Sequence, residues 1–218
     1  MAETVLSRAK PNSELRSTVL IIDDDEDLRN SVGRLLRSVG LYAQLFASIP
    51  DFLKSESPKT PACLVLDIRL PGKGGLDFQR ELAIANIQLP IIFITGHGDI
   101  PMTVQAMKGG AIEFLTKPFR EQDLLEAIQH GVGQNRAARE RRAAIGELEE
   151  RFDSLTPRER EVFPLVAGGM LNKQIADQLG ASEKTIKIHR AQLMRKMRAE
   201  SLADLVRMSE RLKLTPLP

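Results

Sequence analysis

Cysteine is nearly absent from this chain. Its 218 residues include one, Cys63, which excludes an internal disulfide and a zinc cluster built on cysteines. Tryptophan is missing, tyrosine occurs once, and aromatics amount to 4% of residues, too few for stacking platforms on single-stranded nucleic acid. No apolar run approaches the ~20 residues that span a bilayer. The segment Met1 to Ser17 carries no apolar signal core and no lipidation motif. A cytoplasmic protein with no membrane partner is therefore expected. No phosphate-binding P-loop is present to make it an NTPase.

Net charge is also small, +2 from 31 basic and 29 acidic side chains. That balance hides a segregation. Residues 18–131 hold 15 acidic and 11 basic side chains, whereas 153–218 hold 8 acidic and 12 basic. An acidic region joined to a basic one suggests two jobs, the second near a polyanion. The hydrophobic content of 42% supports packed cores, and the length suits one large or two small domains.

The acidic region alternates short apolar runs with amphipathic stretches. Strands are expected at Val19–Ile22, Ala43–Phe46, Cys63–Leu66, Ile91–Ile94 and Ile112–Leu115. Helices are expected at Asp27–Val39, Ile49–Ser55, Gly75–Ala85, Pro101–Met107 and Glu121–Gly131. Five βα units with fully apolar strands imply an α/β fold, a doubly wound parallel sheet. Residues 134–151 read as a separate charged helix, either solvated or an extended connector. The basic region has no strand pattern and reads as four helices over 157–168, 172–179, 183–197 and 201–212. The chain thus divides into a flexible tail (1–17), an α/β domain (18–131), a helical linker (132–152) and an all-α domain (153–218). A short tail is expected again from Leu214 to Pro218.

In a doubly wound sheet, sites form beyond the carboxyl ends of the strands. Strand one ends in Asp23, Asp24 and Asp25, strand three in Asp67, strand four in Thr95, and strand five in Lys117 followed by Pro118. Crowded carboxylates repel, and a hard cation such as Mg²⁺ relieves that repulsion. A carboxylate can also attack phosphorus to give an aspartyl phosphate, with Lys117 and Thr95 supplying positive charge and a hydroxyl. Asp27 alone reads as a helix-starting residue.

Val19-Leu-Ile-Ile-Asp-Asp-Asp25, Leu64-Val-Leu-Asp-Ile-Arg-Leu-Pro71 with Gly74-Gly75, Ile94-Thr-Gly96 and Phe114-Leu-Thr-Lys-Pro-Phe119 resemble the receiver domain of two-component response regulators. The resemblance implies Asp67 as phosphoacceptor. It implies Mg²⁺ held by Asp23, Asp24, Asp67 and the carbonyl of Arg69, with Lys117 pairing with the phosphate. Thr95 and Phe114 become the switch pair, the Lys117–Pro118 bond is expected to be cis, and the surface of the fourth helix, fifth strand and fifth helix becomes a dimer face. Arg69 and His97, two residues past Asp67 and Thr95, are expected to govern water access to the phosphate.

In the basic region, Thr156, Pro157 and Glu159 form a capping-box start. A short helix, the turn Gly180-Ala181-Ser182 and a longer helix form a helix-turn-helix pattern. On the longer helix, Ile186, Leu193 and Met197 share one side, and Lys184, Lys187, Ile188, Ala191 and Arg195 the other. Bases separated by small apolar groups suit a major groove. Leu155-Thr-Pro-Arg-Glu-Arg-Glu-Val162, Asn172-Lys-Gln-Ile-Ala176 and Ser182-Glu-Lys-Thr-Ile-Lys-Ile-His-Arg190 resemble the LuxR-type DNA-binding domain, and the whole order is similar to the FixJ and NarL group. The resemblance implies that Lys184, Lys187, Ile188 and Ala191 face base edges and that Lys173, Arg190, Arg195 and Lys196 contact phosphates. It implies a sensor histidine kinase, promoter DNA and RNA polymerase as partners, dimerisation on phosphorylation, and activation of transcription. It implies no enzymatic turnover beyond self-catalysed phosphoryl transfer and slow loss of the phosphate. Pro164 departs from the pattern by sitting inside a helix, where it should kink it or shift its last turn.

Two other readings remain at this point. One is an Mg²⁺-dependent phosphatase using Asp67 on phosphate esters, although phosphatases of the haloacid-dehalogenase type carry a second Asp where this chain has Arg69. The other is a DNA-binding regulator whose receiver is never phosphorylated.

Overall fold

The computed structural model describes residues 17–96 and 100–214. Of the expected tails (1–17 and 214–218), residues 1–16 and 215–218 lie outside the described residues, as does His97; Ser17 is described and buried. Five strands, β1 (Thr18–Ile22), β2 (Tyr42–Phe46), β3 (Ala62–Asp67), β4 (Ile91–Thr95) and β5 (Glu113–Thr116), form one parallel sheet in the order β2-β1-β3-β4-β5. The central strands are buried along their whole length, as their unbroken apolar sequences require. Side-chain alternation sorts them between two cores. Leu20, Ile22, Leu64, Leu66 and Phe93 join Phe78 on one face. Val19, Ile21, Cys63, Val65, Ile92 and Ile94 join Leu124 and Ile128 on the other.

The register places the functional strand ends side by side. Ile22 pairs with Leu66, Asp67 with Ile94, and Thr95 with Thr116. The helices between strands are α1 (Glu26–Ser38), α2 (Ile49–Leu53), α3 (Gly75–Ile84) and α4 (Ile100–Lys108). Asp25, not Asp27, caps α1: its carboxylate accepts from Asp27 N and Leu28 N. One of three adjacent aspartates is thereby assigned to capping.

The largest difference from the sequence reading is α5. Glu121–Asp153 is one helix of 33 residues, where two were expected. The first of these was expected to end at Gly131, and glycine is a poor helix former. Gly131 is instead a close-packing position: a Cβ there would meet Cys63 Cβ at 3.1 Å and Ile112 Cδ1 at 3.2 Å. Beyond it, buried Asn135 accepts from Ala62 N at 3.1 Å and donates to Gln88 O at 3.1 Å. Arg139 donates to the carbonyls of Pro58 and Lys59. Residues through Arg139 therefore pack with the sheet, and the chain divides into two units at Arg139/Glu140.

The second unit contains the end of α5 and four further helices, α6 (Pro157–Ala167), α7 (Asn172–Leu179), α8 (Glu183–Met197) and α9 (Leu202–Arg211). Its core gathers Leu148, Leu155, Val162, Phe163, Val166, Ile175, Ile186, Leu193, Met197 and Leu205. Thr156 and Glu159 form the expected capping box, and Ser182 caps α8. Helix α6 continues three residues past Pro164, with Val162, Phe163, Leu165 and Val166 buried around it. Leu214, expected in a tail, packs against this core and donates its N–H to Ser209 O at 3.0 Å.

Candidate phosphorylation site and nucleic-acid interface

The ends of β1, β3 and β5 bring Asp23, Asp24, Asp67 and Lys117 together. One carboxylate oxygen from each of Asp23, Asp24 and Asp67 lies within 4.8 Å of the other two. Asp23 and Asp67 are buried, at 0% and 6% exposure, while Asp24 faces solvent. Lys117 Nζ donates to Asp23 Oδ2 at 2.8 Å and to Asp67 Oδ2 at 2.6 Å. The second oxygens are held by backbone: Asp25 N donates to Asp23 Oδ1 at 2.9 Å, and Arg69 N to Asp67 Oδ1 at 2.8 Å. Each buried carboxylate thus has both oxygens oriented, which fixes it for coordination or attack.

Burial holds the Asp23 carboxyl above its ordinary pKa, against the opposing pull of Lys117 and the Asp25 N–H. For Lys117, burial alone would lower the pKa. The hydrogen bonds and charges of Asp23 and Asp67 outweigh it and raise the ammonium above its ordinary value.

Thr95 is fully buried at the end of β4, and its carbonyl accepts from Lys117 N at 2.7 Å. Phe114 lies beside Phe93 on the neighbouring strand, half-buried against the core that contains it. The Lys117–Pro118 peptide is cis. Two supporting contacts carried no signal in the sequence. Arg29 on α1 donates to Asp23 O at 2.6 Å, setting a cation against the acidic turn. Gly75 opens α3 so close to β3 that a Cβ would stand 2.6 Å from Asp67 O. The quoted Gly74-Gly75 pair did point to that place, but not to this contact.

The profile of the response regulator receiver domain matches residues 19–129, and that of the bacterial regulatory proteins of the luxR family matches 153–209. This chain is a two-component response regulator of the receiver–LuxR type. It is 52% identical over 200 residues to Nodulation protein W of Bradyrhizobium diazoefficiens, covering 92% of this chain and 88% of that one. It is 39% identical over 191 residues to the transcriptional regulatory protein FixJ of Azorhizobium caulinodans, covering 88% and 90% respectively. The solved structure of the response regulator StyR matches with a TM-score of 0.83 and 47% identity, over 90% of this chain and 99% of that one.

The regulator's DNA-binding unit displays the basic face expected on α8. Lys184, Lys187, Ala191 and Arg195 are exposed, and Ile188 is 54% exposed between them. Ile186, Leu193 and Met197 are buried on the opposite side. Lys173, in the first turn of α7, is also exposed. Arg190 is half-buried and donates to Asn172 Oδ1 at 3.3 Å, tying α8 to α7. Arg195 also donates to Gln192 within its own helix. Lys196 differs from the expectation of an open phosphate contact. Its ammonium lies 2.6 Å from Glu159 Oε2 and 3.2 Å from Ser154 O. Its charge is used inside the unit, by partners too distant in sequence for periodicity to reveal.

Proposed function

We propose that this response regulator accepts a phosphoryl group on Asp67 from a cytoplasmic sensor histidine kinase, dimerises and activates transcription with RNA polymerase at promoter DNA. The observation that carries this reading is the pair of contacts from Lys117 to Asp23 and Asp67 at the mouth of the sheet. The donor set fits Mg²⁺: hard carboxylate oxygens, of which Asp24 is exposed, with Lys117 leaving part of the cluster's charge uncompensated. Asp23, Asp24, Asp67 and the Arg69 carbonyl would hold the ion. When bound, it supplies charge neutralisation for the phosphoryl oxygens.

The chain's own residues perform the remaining work. Arg69 N and Lys117 hold the Asp67 carboxylate with an oxygen available for attack on phosphorus, as the bond to the kinase's histidine nitrogen breaks. Lys117 then pairs with the transferred phosphoryl group, and the Thr95 hydroxyl turns toward it. The space Thr95 leaves is filled by Phe114 turning inward, which reshapes the surface of α4, β5 and α5. Dimerisation through that surface pairs two α8 helices for a two-fold DNA site. Arg69, exposed beside Asp67, limits access of water, so the protein is a slow autodephosphorylating switch rather than a turnover enzyme. Arginine at that position also disfavours the phosphatase reading.

Asp67→Asn should abolish labelling by acetyl phosphate; labelling at full stoichiometry in that variant would overturn the assignment. Native mass measurement with beryllofluoride and Mg²⁺ should show a dimer in the parent protein and a monomer in Asp67→Asn.

A further inference from the structure

Helix α8 presents the basic face, and its last turn is anchored by a basic residue that points elsewhere. At 100° per residue, Lys196 lies about 180° around the helix from Lys187. Its side chain is 26% exposed, and the Glu159 side chain that receives it is 5% exposed. The same Glu159 oxygen accepts from Thr156 N at 2.8 Å. One carboxylate oxygen therefore binds both the N-cap of α6 and the end of α8. The Lys196 ammonium also reaches Ser154 O, in the connection between α5 and α6. Two segments distant in sequence, residues 154–159 and the last turn of α8, meet at one ion pair.

We propose that Lys196 is a positioning residue for base reading by α8, acting through Glu159, and not a phosphate contact. An ion pair whose buried partner accepts two hydrogen bonds on the same oxygen has a defined geometry, unlike a solvated surface pair. It fixes the tilt of α8 against α6. Contacts to base edges depend on that tilt within fractions of an ångström, whereas long lysines and arginines still find phosphates on a misaligned helix. Loss of the pair should therefore erode specificity and spare non-specific affinity.

The test uses the full chain and two duplexes. One is enriched from a random-sequence pool by the parent protein; the other has the same composition in shuffled order. Each is titrated across a salt series. Lys196→Met, which keeps the apolar stem, should weaken binding to the enriched duplex by about tenfold and leave the shuffled duplex within about twofold, with the salt slope unchanged. Glu159→Gln should give a similar loss, and the double variant no further loss, because the two act as one unit. Uniform weakening on both duplexes with a slope smaller by about one would make Lys196 a phosphate contact and overturn the proposal. A lower melting temperature with an unchanged ratio between duplexes would reduce it to packing and overturn it equally. If either neutral variant fails to fold, Lys196→Arg decides. There an unchanged ratio with the fold restored is the rescue that positioning by the ion pair requires, and a ratio that stays lost although the charge and the fold are kept refutes it.

Discussion

Lys117→Met leaves buried Asp23 and Asp67 facing each other without their shared cation. Phosphorylation of Asp67 by acetyl phosphate should then fall by about 10²–10³-fold, the usual cost of losing one preorganised charge donor. Phosphoprotein gel shift measures it. The contrast is Cys63, which sits on β3 four residues before Asp67 yet takes no part in the site. Burial pushes its thiol up to about 12. Alkylation by iodoacetamide at pH 8 should occur only once denaturant unfolds the sheet; rapid labelling of the folded protein would contradict the packing described. The main site residues were legible because carboxylates, a hydroxyl and a lysine at strand ends are rare in that combination. Arg29 was not legible, because its partner is a backbone carbonyl, which every residue possesses.

Among the elements, α5 and α6 show where periodicity stops informing. One expected helix ended at Gly131, where a Cβ would crowd Cys63 and Ile112. Asn135 falls within the expected linker 132–152, yet its hydrogen-bond partner Ala62 lies 73 residues earlier. Asn135→Ala would take the side-chain acceptor away from buried Ala62 N, at about 1–3 kcal/mol of receiver stability, measurable by urea denaturation. Glu159 yields a pH prediction for the second unit. Burial would raise its pKa, but Lys196 and the Thr156 N–H and hydroxyl outweigh that and hold it below its ordinary value. A carboxyl with a depressed folded pKa stabilises above its unfolded pKa and loses that contribution as pH falls through the folded one. The stability gap between the parent protein and Glu159→Gln should therefore be full above about pH 5 and shrink on acidification. A gap that widened in acid would reverse the sign argued here.

At the scale of the whole molecule, the small net charge separates into two surfaces with different tasks. The acidic turn gathers around Lys117, and the basic face of α8 stays open to solvent. Salt should discriminate between them. DNA affinity should fall steeply with ionic strength, because each phosphate neutralised contributes about −0.9 to the logarithmic slope. Lys187→Ala should either cost about 1–3 kcal/mol in specific binding or shallow that slope by about one, according to whether Lys187 reads a base or meets a phosphate. Phosphorylation of Asp67 should remain nearly insensitive to that substitution, since Lys187 belongs to the other unit.

The anchoring of α5 by Asn135 and Arg139 also bears on how such proteins can be recombined. Domain seams normally fall in exposed loops with few crossing contacts. Here the seam lies inside a helix, and the receiver's own hydrogen bonds persist to Arg139. A receiver excised at Gly131 would leave Ala62 N without its partner and strip the anchor from Pro58 and Lys59. One carried through Arg139 would keep both. Grafting a foreign DNA-binding unit onto this receiver therefore calls for a junction made in helical conformation, at or beyond residue 140, rather than at residue 131, where the domain was expected to end.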